Sequence, residues 1–150
     1  MNVVKRKMEK VVVAETTLYV AADGKEFKSR RDCEEYETDL IRKIALASED
    51  VEVNEALRDR APHYASYGWD DNNEYVWVRP KTADGVALLK AAFKSEYSNS
   101  PFEIGKWMCV EIGFEDSIDL ISEDDMKNAY TDQLGQLGIK VTFEQIKEAV

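Results

Sequence analysis

Residues 17–37, TLYVAADGKEFKSRRDCEEYE, constrain the fold of this chain more tightly than any other stretch. Thr17, Leu18, Tyr19 and Val20 have strand chemistry. Asp23-Gly24 is a dipeptide favoured in tight two-residue hairpin turns, and Lys25, Glu26 and Phe27 begin a return strand. Ser29 followed by Asp32 has the spacing of a capping box, in which hydroxyl and carboxylate each satisfy an orphan amide at a helix start. A hairpin docked directly onto a helix is expected. None of these residues carries catalytic chemistry.

Beyond Ser29, the spacing predicts a helix over 30–47 that turns Cys33, Tyr36, Leu40, Ile41 and Ile44 inward. Residues 48–62 read as a loop with a helical turn near 55–59. A second hairpin is expected from strands at 64–69 and 74–79, ended by Pro80, which cannot donate to a ladder. Thr82 caps a helix of 83–97 with Val86, Leu89, Phe93 and Tyr97 on its inner face. A strand at 106–112 follows, with Trp107, Cys109 and Val110 buried, and 114–121 is either another strand or an irregular link. Ser122 with Asp125 opens a helix of 123–137 closing at Gly138, and Thr142 with Gln145 starts a last short one. The expected architecture is α+β: a single domain, 1–150, with an antiparallel sheet of about five or six strands and about three or four helices packed on it. It contains two hairpin-then-helix units, at 10–47 and 64–97, and residues 1–9 are expected as a flexible basic arm.

A chain of 150 residues can bury a substantial core, and its 44% hydrophobic content suits a globular protein. The apolar run behind Lys5, Arg6, Lys7 and Lys10 spans only Val11 to Ala14, too short for a signal-peptide core, so a cytoplasmic location in the host cell is expected. Charge is uneven. Residues 1–31 carry eight basic and four acidic side chains, whereas 32–150 carry 12 basic and 26 acidic, for a net charge of −10. A field of that sign repels nucleic acids and anionic membranes and suits a protein partner with a basic face.

Catalytic sets are scarce. His63 is the one histidine, which rules out paired-histidine metal motifs. Asp70-Asp71-Asn72-Asn73-Glu74 begins like a calcium loop, then has Tyr75 where glycine is needed and Lys81 where a bidentate glutamate is needed. Cys33 and Cys109 read as buried free thiols. Glu123, Asp124 and Asp125 have a structural reason to stand in a first helical turn, since they offset the helix dipole. No cofactor is called for.

One constellation stands out. Trp69, Tyr75, Trp77 and Arg79 share the second hairpin, and aromatic and Arg side chains dominate interface hot spots. Tyr75, Trp77 and Arg79 alternate with Val76 and Val78, so valines facing a core would turn all three outward. The opposite reading, an aromatic face that is itself core, stays open. Glu111, Glu115, Asp116, Asp119, Glu123, Asp124 and Asp125 form the densest acidic run and can imitate backbone phosphates. The hairpin is expected to carry more affinity than the carboxylates, which set the rate of encounter.

The 17–37 stretch also resembles a pattern met in small accessory proteins of Gram-positive bacteriophages and prophages, where a strand, a DGxxF turn and a capped helix open the chain. Asp23, Gly24, Phe27, Cys33, Tyr36 and Glu37 carry the resemblance, which covers 21 of the 150 residues. It implies a context in which small acidic proteins inhibit host defence, anti-CRISPR proteins among them. The expectation is a non-enzymatic inhibitor of a host defence protein such as a Cas effector or nuclease, acting alone or as a homodimer, without membrane attachment or direct nucleic-acid binding. The rival is a sponge that traps a nucleotide immune signal on the aromatic hairpin.

Overall fold

The computed structural model describes residues 1–8, 14–62, 73–95 and 100–146. They form three helices and two antiparallel sheets, of three and four strands, in place of the one larger sheet expected. Two compact units result, Met1–Ala47 and Ser48–Val150. The acidity belongs to the second. The first holds ten basic against nine acidic side chains, the second ten against 21.

In the first unit the sheet order is β1 (Asn2–Met8), β2 (Ala14–Val20) and β3 (Glu26–Phe27). The basic N-terminal segment is therefore a strand, paired with β2 from Asn2–Val20 to Met8–Ala14, and not a flexible arm. Val3 and Val4 supply strand propensity, and a sheet edge is where lysines and arginines are tolerated. The Asp23-Gly24 turn is wider than two residues. Ala21 donates to the Lys25 carbonyl and Gly24 donates to the Ala21 carbonyl, both at 2.9 Å, closing a three-residue loop with Gly24 at φ +92°. That left-handed position is the one such loops reserve for glycine.

Helix α1 (Arg30–Ala47) starts where the capping spacing places it, with the Asp32 amide donating to Ser29 Oγ at 3.3 Å. The hairpin does dock on it. Tyr36 donates its hydroxyl to the Asp23 carboxylate, the Ala22 amide donates to Glu37 Oε1 at 3.0 Å, and the Phe27 and Tyr36 rings lie 5.1 Å apart. The apolar stripe is narrower than expected. Cys33 is buried, whereas Ile41 and Ile44 are exposed.

In the second unit the sheet order is β4 (Val51–Val53), β5 (Glu74–Pro80), β6 (Met108–Ile112) and β7 (Ile118–Ser122). Strand β4 and the 3-10 turn Glu55–Leu57 occupy the stretch read as loop with a helical turn. Helix α2 (Ala83–Ala92) is capped by Thr82, whose hydroxyl accepts from the Gly85 amide at 3.1 Å. A Cβ at Gly85 would stand 2.2 Å from the Asp50 carbonyl oxygen, so glycine lets this helix start approach the turn before β4. Helix α3 (Glu123–Gly135) has the complete capping box predicted for Ser122 and Asp125. Residues 141–146 are not helical, and 147–150, over which the short helix expected from Thr142 and Gln145 would continue, lie outside the described residues. No helix is long and apolar enough to cross a membrane among the described residues.

Candidate functional site

Strand β5 decides how the aromatic constellation is used. It is not half of an isolated hairpin. Val78 pairs with both Val53 on β4 and Met108 on β6, and the Asn54 and Asp59 amides donate to the Trp77 and Tyr75 carbonyls at 3.0 and 2.8 Å. Both edges are therefore filled by other segments. The expected partner strand at 64–69, with Trp69, lies outside the described residues, as do the turn at 70–72, His63 and Tyr97.

Both faces of β5 are covered as well. Val76 and Val78 are buried on one, and Tyr75 and Trp77 on the other are 5% and 9% exposed. Tyr75 and Trp77 cluster with Cys109 and Ile121, and Leu57, Ala61, Trp107 and Met126 pack over them. The Trp77 indole N–H donates to the Arg60 carbonyl at 2.8 Å, so its polar atom is spent internally. The outward row of anchors that the valine-inward expectation needed is absent, because the 3-10 turn region and α3 supply apolar cover for this face too.

Arg79 is held rather than offered. Its Nε donates to Glu52 Oε2 at 2.9 Å across the β4–β5 pair, and its guanidinium lies 4.7 Å from the centre of the Trp107 ring. Among the described residues of the expected hairpin, the buried Tyr75 and Trp77 rings offer no open face to a nucleobase. A cavity beside Trp107, between Pro101 and Asp124, measures about 40 Å³, room for a few waters only.

The seven predicted carboxylates divide into two groups at opposite ends of the sheet. At the start of α3 each is engaged. The Trp107 amide donates to Glu123 Oε2 at 3.1 Å, while the Glu123 amide donates to the Trp107 carbonyl at 3.0 Å. Lys106 Nζ pairs with Asp124 at 2.8 Å and with Glu103 at 3.2 Å, contacts that raise its pKa above the usual lysine range. Asp125 closes the capping box and accepts from the Ser100 hydroxyl at 2.8 Å. Partial burial works against its ionisation, yet the hydrogen bonds from Ser122 and Ser100 hold its pKa below the ordinary 3.8.

The other group gathers where β5 begins, β6 ends and β7 begins. Glu111 and Asp119 are direct cross-strand partners, and Glu111 also lies opposite Tyr75, whose carbonyl is bonded to Asp59. Glu74 opens β5 one residue away and is exposed. Like charges set opposite one another repel; the Asn73 side-chain amide offsets part of this by donating to Glu111 Oε1 at 2.7 Å. The field is felt inside the sheet. Burial first, then the charges of Glu111 and Asp119, push the Cys109 thiol up to about 12. Arg58 is the neighbouring cation, but Glu55 takes its guanidinium at 2.7 and 2.9 Å.

Glu115 and Asp116 complete this group from the loop joining β6 to β7. The loop is a 3-10 turn, Phe114–Asp116, closed by the Gly113 amide on the Ser117 carbonyl at 2.8 Å and the Ser117 amide on the Phe114 carbonyl at 3.2 Å. Glu115 and Asp116 sit at φ 54° and 61°. The left-handed region costs a side-chain-bearing residue about 1–2 kcal/mol. Phe114 stands beside them 85% exposed. Sequence reading missed Phe114, Glu74 and Asp59 as members of this end. The available signal was Gly113-Phe114-Glu115-Asp116-Ser117, a polar turn with one aromatic between two apolar alternating strands.

Among the described residues, no group of three or more His, Cys, Asp or Glu side chains is arranged to hold a metal ion. The chemistry of the acidic end is that of hydrogen-bond acceptance and charge. No known protein family, curated protein or solved structure matches this chain.

Proposed function

We propose that this protein is a non-enzymatic inhibitor of the kind phages deploy, and that it engages the basic surface of a host defence protein, a Cas effector or nuclease, in the host cytoplasm. One observation carries the reading: Glu111 and Asp119 are direct cross-strand partners at one end of the four-stranded sheet, and the closed turn that joins their strands carries Glu115 and Asp116. Carboxylates fixed on strands and a closed turn present charge at set spacings, which suits a groove built for backbone phosphates. The excess of acid in the second unit adds a long-range field that speeds encounter.

The test is affinity for purified guide-loaded Cas effectors and nucleases at rising salt. Binding should weaken as exposed charges are screened. Glu111→Gln, Glu115→Gln, Asp116→Asn and Asp119→Asn together should weaken it at low salt and flatten the salt dependence. Binding that ignores both salt and these amides sinks the proposal.

A further inference from the structure

We infer that Phe114 is the apolar anchor of the acidic end, and that the partner it fits is a protein presenting a pocket one ring wide with lysine or arginine on its rim. The inference rests on the reading above and adds to it a contact made by shape. Phe114 has the highest exposure among the large hydrophobic side chains of the described residues, 85%, and it stands on a turn closed by two backbone hydrogen bonds. The ring is therefore offered from a defined position. An aromatic ring in that state loses little conformational freedom when a pocket closes on it.

The surroundings choose the pocket. Glu115 and Asp116 follow the ring in the chain, and Asp119 and Glu111 stand at the adjoining strand ends. Any surface that covers Phe114 must desolvate or closely approach those carboxylates. A basic rim brings counter-charge to Glu115 and Asp119, which a neutral or acidic rim does not. An anionic lipid surface and a nucleic-acid backbone carry the wrong sign. A basic protein is the occupant whose charge matches.

The experiment measures affinity for the same panel of purified guide-loaded Cas effectors and nucleases, with thermal unfolding of each variant alongside. Phe114→Ala should unfold with wild type and lose at least about 30-fold in affinity, the equivalent of about 2 kcal/mol. Phe114→Trp should keep most of the affinity. A loss confined to the carboxylate amides, with Phe114→Ala binding within about threefold of wild type, overturns the anchor and leaves the charge reading standing. A loss confined to Phe114→Ala, with the amides silent, overturns the basic rim. Wild type that binds no member of the panel removes both proposals together. Early unfolding of Phe114→Ala overturns the anchor by showing the ring to be internal packing. Sedimentation of the protein alone covers the remaining occupant, because a dimer that Phe114→Ala dissolves replaces the basic partner with a second copy.

Discussion

The two ends of the four-stranded sheet are built from the same residue types and put to different uses. At the end where β7 runs into α3, Glu123, Asp124 and Asp125 each meet a backbone amide, a lysine or a hydroxyl of the same unit. At the end where β6 turns into β7, Glu111 and Asp119 face each other and the turn places Glu115 and Asp116 in left-handed backbone. Acid at the first end holds the fold together. Acid at the second is set where like-charge opposition and left-handed backbone work against the fold. A density of carboxylates along the sequence therefore says little by itself; what each one touches separates structure from recognition.

The sharpest way to break this comparison is to attack the core that joins the two ends. Trp77→Ala removes a ring at the centre of the aromatic cluster together with its bond to the Arg60 carbonyl, and should cost about 3–5 kcal/mol in denaturant unfolding. A variant as stable as wild type would return Trp77 to the list of surface anchors. Next in size is the alkaline limb. Cys109 keeps its proton up to about 12 when folded, against an ordinary value of 9.0. The unfolded chain releases that proton first, so stability should fall as pH rises from 9.0 towards 12 and be unaffected by this group below 9.0. Cys109→Ala, measured against wild type across that window, should remove this component of the slope.

That outcome bears on what could be read from residues alone. The helix starts and the hairpin-to-helix junction were legible, because Ser29, Thr82, Ser122 and Gly24 act on neighbours within a few positions, though only Ser122 with Asp125 forms a complete capping box. The orientation of Tyr75 and Trp77 was not. Alternation shows that they share a face, but which face is covered depends on Leu57, Ala61 and Met126, brought there by the fold. β1 was hidden for a related reason: basic side chains suggest a solvated arm unless a partner strand is known. The acidic end was half visible as a run of charge, while its division into engaged and opposed carboxylates required the strand register.

Smaller effects refine the contrast. Ser122→Ala should cost about 1 kcal/mol by opening the α3 cap. Asp125→Asn should flatten the acid limb, since a carboxylate with a depressed pKa contributes stability above its unfolded value, near 3.8, that is lost as pH falls through the folded one. At the opposed end the sign should reverse. Glu115→Gly relieves a residue at φ 54°; allowing for the added freedom of the unfolded chain, it should stabilise by a few tenths of a kcal/mol to about 1. The amide set at Glu111, Glu115, Asp116 and Asp119 should change stability least, within about 0.5 kcal/mol. Amides that cost as much as Ser122→Ala would erase the distinction between the ends.

Helix α3 is attached like a cantilever. Its first turn is tied down by the Ser122 cap, the paired bonds between Glu123 and Trp107, and Met126 against the aromatic cluster, whereas none of its residues is fully buried. Amide protons should therefore exchange along a gradient, slowest in the first two turns and fastest towards Gly135. Heat and proteases should work backward from that far end. The α3 terminus then unravels in small steps while the sheet still stands, and the last part of the helix to let go is the part latched to Trp107.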